Sequence, residues 1–408
     1  MAAMKRCCCG VDVHKSFIIA VIATFIGNEV IFTKYTRFST FTKGLREFKE
    51  WLRANNCFDI CMESTGKYYI PVYRIVSDKT FHVDVVHPKY VKAPRGKKND
   101  KRDAKRIADM YMRDHIAEYS IIPTADILAV RDLTRYRRKT VNTITAEKNR
   151  MSNCLTVSCI KLDEVLSDVY GKTGQALIEQ IVERGNCDFD PSPYIDKRVK
   201  APLEDFKMAL DGDVTPATLL KMSMIQNRLK YLDEQKAELE SNMAPLSKGF
   251  SRQLEILDSA PGVDSLSAIS IISEIGVDMN IFGSVKRFLS WVGVVPQNNE
   301  SAGKKKSTRI GKGNTWLKPV AVQCANAAIK DKNHPEIREK YLALKKRRGH
   351  GKALVAIAKR LMTAIYYMLL RDEMYKPSIG KDAAPKRGKI SLDKLIEYYH
   401  SKGYTVVV

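Results

Sequence analysis

Of four candidate carboxylates, two stand where acids are expensive to keep. Asp12 lies inside the apolar run Gly10-Val11-Asp12-Val13-His14, and Glu63 closes another in Met62-Glu63-Ser64-Thr65-Gly66. A charge on a segment built for burial costs free energy unless it is paired or bound to a cation. Asp100 and Asp103 are three apart at the start of a helical segment, so they share a face and the positive helix N-terminus favours both. Hard divalent cations take several oxygen ligands, and two-metal phosphoryl transfer needs carboxylates that hold the ions about 4 Å apart. Taken singly, Asp100 and Asp103 read as helix caps among Lys101, Arg102, Lys105 and Arg106, and Glu63 as a turn residue. Taken together, the four acids read as a metal site. Nine lysines and arginines fall between positions 89 and 106, as a phosphodiester would require, since cations hold its backbone while metals act on it.

A second chemical segment is Pro296-Gln297-Asn298-Asn299-Glu300-Ser301-Ala302-Gly303-Lys304-Lys305-Lys306-Ser307-Thr308-Arg309-Ile310-Gly311-Lys312-Gly313-Asn314. Its small residues allow close backbone approach and its five cations attract phosphate, so a hydroxyl nucleophile here would face a polarised phosphodiester. Composition alone leaves Ser301, Ser307 and Thr308 as alternatives, and the plainer reading is a phosphate-contacting loop with no catalytic serine. The order G-x-x-x-x-G-K-[ST] of a nucleotide-binding loop is absent. Upstream, Leu257-Asp258-Ser259-Ala260-Pro261-Gly262-Val263 and the amphipathic residues 266–275 read as two helices joined by a tight Pro-Gly turn, a helix-hairpin-helix-like segment. Asp264 stands where that pattern usually has a second glycine, so packing and phosphate contact are both open.

These residues need elements to hold them. Residues 7–14, 16–24 and 29–36 are β-rich, 41–55 has helical periodicity through Leu45, Phe48 and Leu52, and 58–63, 69–76, 81–87 and 100–115 follow as strand, helix, strand, helix. Three leading strands followed by alternation predict a mixed sheet with helices on both faces, the RNase H-like arrangement. A dinucleotide fold would want a G-x-G-x-x-G turn after the first strand, where Val13-His14-Lys15-Ser16 stands instead. Residues 127–165 read as helix, 171–214 as an inserted subdomain or a loop-rich connector. Met222, Ile225, Leu229, Leu232, Lys236, Leu239 and Met243 then keep a heptad rhythm until Pro245 stops the helix. That spacing suits a coiled coil or an amphipathic helix packed on its own domain. Residues 251–375 are helical around one basic loop, and a short helix at 392–399 closes the chain.

With 69 Lys and Arg against 46 Asp and Glu, the formal charge of +23 over 408 residues draws polyanions, nucleic acid first. The 44% hydrophobic and 28% charged composition excludes a disordered or collagen-like chain. Residues 17–27 are too few to span a bilayer, residues 353–370 are cut by Lys359 and Arg360, and no signal-peptide pattern opens the chain. No membrane partner is expected, and the protein is expected to be cytoplasmic. Cys7, Cys8 and Cys9 fall on a strand whose alternate side chains face opposite ways, and Cys154 and Cys159 lack a second pair at zinc spacing.

Together these segments resemble the DEDD-type insertion-sequence transposases, the bridge-RNA-guided serine recombinases that also include the pilin-gene invertases. The likeness runs nearly end to end: Gly10-Val11-Asp12-Val13-His14-Lys15, Met62-Glu63-Ser64-Thr65-Gly66, Asn99-Asp100-Lys101-Arg102-Asp103-Ala104 and the region from Pro261-Gly262-Val263 to Gly313-Asn314 look like the family's hallmark segments in its order. The later pattern is similar too, in Lys345-Lys346-Arg347-Arg348-Gly349-His350-Gly351-Lys352. The resemblance implies a RuvC-like N-terminal domain whose Asp12, Glu63, Asp100 and Asp103 bind Mg²⁺, with Mn²⁺ as a substitute. It implies a C-terminal transposase domain whose serine nucleophile sits in a Ser-Gly pair; the matching position is Ser301, with Ala302 before Gly303. It further implies a noncoding bridge RNA that selects donor and target DNA, and a homo-oligomer, a dimer assembling to a tetramer on DNA, formed through the helix of residues 222–243. Such a protein works in a prokaryotic cell, at the nucleoid when acting.

The resulting expectation is an α/β plus all-α chain. Residues 1–126 form the RuvC-like domain, 127–248 a helical and coiled-coil region with its insert at 171–214, 249–376 the transposase domain, and 377–408 a tail. Lys97, Lys98, Lys101, Arg102, Arg137, Arg138, Lys304, Lys305, Lys306, Arg309 and Lys312 are the expected nucleic-acid contacts. Two other readings compete: a RuvC-like nuclease using metal-activated water, and a noncatalytic nucleic-acid-binding scaffold.

Overall fold

The computed structural model describes residues 5–27, 29–91, 100–116, 119–296, 299–301, 304–307 and 309–377. The expected tail helix at 392–399 and the cations Lys97 and Lys98 lie outside the described residues. The chain divides into two units, Met1–Pro123 and Thr124–Val408.

The N-terminal unit runs β1 (Cys7–Val13), β2 (Phe17–Ile26), β3 (Glu29–Phe32), β4 (Thr36–Ser39), α1 (Thr42–Ala54), β5 (Asp59–Glu63), α2 (Tyr69–Val76), β6 (His82–Val86), α3 (Pro88–Val91) and α4 (Asp100–Met112). The sheet order is β3-β2-β1-β5-β6, with β4 also on β2. β1 is antiparallel to β2 and parallel to β5, which is parallel to β6. This is the expected mixed sheet with helices on both faces. The single strand expected at 29–36 is instead two. Phe32 pairs with Ala23 and Thr36 with Ala20, so residues 33–35 face only Val21 and Ile22. One residue too many cannot stay in register, and the strand breaks there as at a bulge.

Alternation along β1 sorts its side chains. Cys9, Val11 and Val13 join the cluster under α1 and α2, with Leu45, Phe48, Leu52, Val72 and Val76. Cys8 joins the opposite cluster under α4, with Cys61, Ile107, Ala108 and Tyr111. Gly10 and Asp12 share the α4 face by the two-residue period. Gly10 is there because α4 is: a Cβ on it would lie 2.3 Å from the backbone N of Ala108 and 2.4 Å from the carbonyl O of Ala104.

In the C-terminal unit come α5 (Ala125–Val157), α6 (Leu162–Val165), α7 (Lys172–Arg184), α8 (Leu203–Leu210), α9 (Pro216–Leu246), α10 (Ser251–Asp258), α11 (Ser265–Ile275), α12 (Val285–Val292), β7 (Asn299–Ser301), β8 (Lys304–Ser307), α13 (Leu317–Ala328), α14 (Pro335–Arg348) and α15 (His350–Arg371). The heptad side chains of α9 turn inward on this same chain: Met222, Ile225, Leu232 and Met243 are buried, and α5 is the helix they lie along. Pro245 does not stop α9 outright. The helix runs on to Leu246, because proline's own φ is helical and only its missing N–H and ring disturb the last turn. Residues 171–214 form a helical insert, with Leu177, Ile178, Ile181, Phe206 and Leu210 packed on Met151, Leu155, Met222 and Ile225 of the long pair.

The basic loop expected in the middle of this unit is a β-hairpin, β7 pairing antiparallel with β8. Two residues separate the paired Ser301 and Lys304, the length of a tight hairpin connection. α15 has the length and hydropathy of a bilayer-crossing helix, yet 56% of its apolar window is buried inside the unit. Ile357, Ala358, Leu361, Met362 and Ile365 on it are buried.

Candidate active site

Parallel pairing brings the two strand acids together. Gly10 pairs with Cys61 and Val11 with Met62, and the next step of that register sets Glu63 beside Asp12. The contact at Gly10 lets α4 lie close on β1, and Asp103 and Asp100 precede Ala104 in the first turn of that helix. His14 Nε2 lies 3.1 Å from Asp12 Oδ2 and 3.5 Å from Asp100 Oδ2. Ligand atoms of Asp12, His14 and Asp100 all fall within 4.8 Å of one another. Glu63 Oε1 accepts a hydrogen bond from Thr65 Oγ1 at 3.0 Å, and Arg106 Nη2 donates to Asp103 Oδ1 at 2.6 Å.

Electrostatics ties the fourfold set to one point. Burial pushes the Asp12 carboxyl up to about 6 against the pull of His14, and the charges of Glu63, Asp100 and Asp103 add to the rise. Asp12 is 8% exposed. A buried acid raised by three others marks a place short of positive charge, and its oxygen-rich donor set fits a hard divalent cation. The imidazole of His14 bridges two of the carboxylates where a cation could stand. His14 was legible only as part of a motif; the two-residue offset that puts it on the face of Asp12 was the available signal.

In the C-terminal unit Ser301 lies in β7 at the tip of the hairpin. The hairpin's root is closed by the pairing of Pro296 with Ile310 and by Asn314 N–H donating to Trp291 O at 2.8 Å. Arg309 and Lys312 are exposed beside it. Of the other expected contacts, Lys101 Nζ stands 3.9 Å over the ring of Tyr35, and Arg102 is exposed. Arg137 is partly committed, its Nε donating to Glu240 Oε1 at 2.7 Å, while Arg138 Nη1 donates to Gln323 at 3.4 Å. Arg135, Arg137 and Arg138 line a cleft of about 400 Å³ between α5, α11 and α13, whose floor includes Glu274. At the Pro-Gly turn, a Cβ on Gly262 would lie 2.4 Å from the backbone N of Ala328, and Asp264 caps α11 by accepting from Ser267 N–H at 2.8 Å. Both residues are thus spent on helix packing and capping.

Two family matches follow the same division of labour. Residues 9–160, which take in all four acids, match the DEDD-type IS110 family model described as "Transposase". Residues 254–342, which take in the hairpin, match the one described as "Transposase IS116/IS110/IS902 family". The chain belongs to the IS110-type DEDD transposases. A "Probable family 20 transposase" of Pseudomonas aeruginosa is 23% identical over 299 residues, 72% of this chain and 79% of that protein. The "Transposase for insertion sequence element IS1111A" of Coxiella burnetii is 24% identical over 311 residues, 74% of this chain and 76% of its own. This IS110-type transposase is therefore an enzyme acting on DNA, cutting and rejoining it for the movement of an insertion sequence, and the reading as a noncatalytic scaffold falls. Divalent metal use goes with the DEDD family, and the acid cluster around Asp12 is its candidate seat.

Proposed function

We propose that this transposase is a Mg²⁺-dependent serine recombinase in which Asp12, Glu63, Asp100 and Asp103 hold the metal, with Mn²⁺ able to replace it, and Ser301 is the nucleophile. The observation that carries the metal half is the convergence of Glu63, Asp100 and Asp103 on the buried Asp12, whose carboxyl burial raises and their charges raise further. When bound, the metal supplies a Lewis acid that polarises the scissile phosphate and the leaving oxygen. Ser301 Oγ attacks phosphorus and loses its proton. The bond from phosphorus to the 3′ oxygen breaks, and that oxygen leaves protonated. The phosphoserine ester keeps the bond energy, so a 3′ hydroxyl of a second strand can reverse the step and rejoin without ATP.

The nine cations between positions 89 and 106, with Arg137, Arg138, Lys304, Lys305, Lys306, Arg309 and Lys312, contact nucleic-acid backbone. A noncoding bridge RNA chooses donor and target by pairing, leaving the protein to read duplex shape. Residues 1–126 act as the RuvC-like domain and 249–376 as the transposase domain. Copies associate through the outward face of α9, where Leu220, Met224 and Tyr231 are exposed opposite the seam that faces α5.

The test is a denaturing gel of labelled junction DNA incubated with protein, Mg²⁺ and the RNA from the element's flanking end. A protein-linked strand, absent with Ser301→Ala and with Asp12→Ala, is the expected result. Free nicks that survive Ser301→Ala but not Asp12→Ala would replace this mechanism with a RuvC-like nuclease using water.

A further inference from the structure

Glu274 is buried in the C-terminal helical core, 3% exposed near the end of α11, whose other residues are uncharged. Its carboxylate is fully engaged. Arg135 on α5 donates from Nε to Oε1 at 2.7 Å and from Nη2 to Oε2 at 2.8 Å, a two-pronged grip with fixed geometry. Asn314 Nδ2 donates to Oε2 at 2.8 Å. The other end of the same Asn314 amide is engaged as well, Oδ1 accepting from the backbone N–H groups of Trp316 and Leu317 at 2.8 and 2.9 Å. Asn314 thus joins three things: the acid, the start of α13, and through its own N–H the carbonyl of Trp291 at the foot of the hairpin.

The foot is closely packed. Its two legs run so close that a Cβ on Gly313 would lie 2.4 Å from the Cα of Gly293. Above them Pro296 pairs with Ile310, and β7 carries Ser301 to the tip. Moving Asn314 therefore moves the strand that carries Ser301. A buried acid held by a guanidinium is costly to keep, and plain helix packing at this position would have used an apolar residue.

We propose that Glu274, held by Arg135, is a positioning residue for strand cleavage: it grips Asn314 and so sets the root of the hairpin that presents Ser301. This rests on the reading of Ser301 as nucleophile. Polarity provides the test. In Glu274→Gln, either orientation of the new amide sets an N–H against Arg135 or against Asn314. In Asn314→Asp, two carboxylate oxygens face each other. In the double variant a glutamine N–H at the Oε2 position meets an aspartate oxygen, Arg135 keeps its Nε bond to the glutamine oxygen while its Nη2 faces the new N–H, and the aspartate still caps α13.

Single-turnover formation of the protein-linked strand on labelled junction DNA with Mg²⁺ is the readout, beside DNA affinity and melting temperature. Each single variant should slow adduct formation by about 10- to 100-fold, with DNA affinity changed by less than about threefold. The double variant should cleave faster than its slower parent, a non-additivity that indifferent packing would not give. Singles that cleave at the wild-type rate, or a double no faster than its slower parent, would overturn the proposal. Amide exchange of residues 304–307 separates this from the serine assignment. If Ser301→Ala still forms adduct, the serine reading is lost, yet faster exchange in both singles and recovery in the double would still uphold Glu274 as the setter of the hairpin, and unchanged exchange would overturn it.

Discussion

A carboxyl held near 6 at Asp12 puts stability and function in opposition at a single residue. Its charged form is disfavoured by the fold, so its contribution to stability is complete below the unfolded pKa near 4 and is lost as pH rises through about 6. A rise of that size costs the metal-free protein about 3 kcal/mol at neutral pH. Asp12→Asn should therefore melt at a higher temperature than wild type at pH 8 in EDTA, the two curves converging near pH 4. Added Mg²⁺ should raise the wild-type midpoint and leave the variant's unchanged, and calorimetric scans with and without the ion check both. Equal midpoints at pH 8 in EDTA would mean that Asp12 carries no such burden. The same residue illustrates what reading the chain could reach. An acid among valines was conspicuous, whereas Glu274 was not, because its partner Arg135 lies 139 positions away and an acid near a helix end reads as surface.

At the scale of elements, the close contact between β1 and α4 decides whether Asp100 and Asp103 reach Asp12. Gly10→Ala would drive a methyl into the backbone of α4, which has no flexible atom to yield. The expected outcome is a loss of about 1–3 kcal/mol, the usual cost of overpacking, together with a smaller Mg²⁺-induced rise in melting temperature than wild type shows. A rise of the same size would mean that the acids do not depend on that contact.

Element boundaries were legible wherever one segment's own pattern decided them, as at Tyr69–Val76, where helical periodicity and strand-like flanks agree with the observed α2. They failed where a partner decides. The split between β3 and β4 depends on how many residues β2 offers opposite, and the heptads of α9 state that a seam is filled without stating whose helix fills it. The hairpin of β7 and β8 was hidden for the same reason: Lys304-Lys305-Lys306 has no apolar alternation, and the hairpin shows only in the pairing of β7 with β8 and of Pro296 with Ile310.

For the whole molecule, a charge of +23 makes DNA binding a counterion-release process. Replacing Lys304, Lys305 and Lys306 by alanine should flatten the slope of log K against log salt by about 2 to 3, measured by fluorescence anisotropy over a salt series. An unchanged slope would remove the hairpin from the DNA interface. Association of copies is tested on the exposed face of α9. Lysine at Leu220, Met224 and Tyr231 together should lower the mass seen by light scattering while leaving the circular dichroism of the helices intact, since the buried seam against α5 is untouched.

The dependence of the C-terminal core on α15 also sets an order in time. Every strand of the six-stranded sheet and the helices covering it precede Thr124, whereas the last buried side chains among the described residues of the second unit arrive with residues 353–368. At about 5–20 residues per second a ribosome needs some 10 to 50 s to cross that gap. Once residues 299–307 have been made, the nascent chain carries a completed acid-bearing unit and a hairpin whose supporting core is still unfinished.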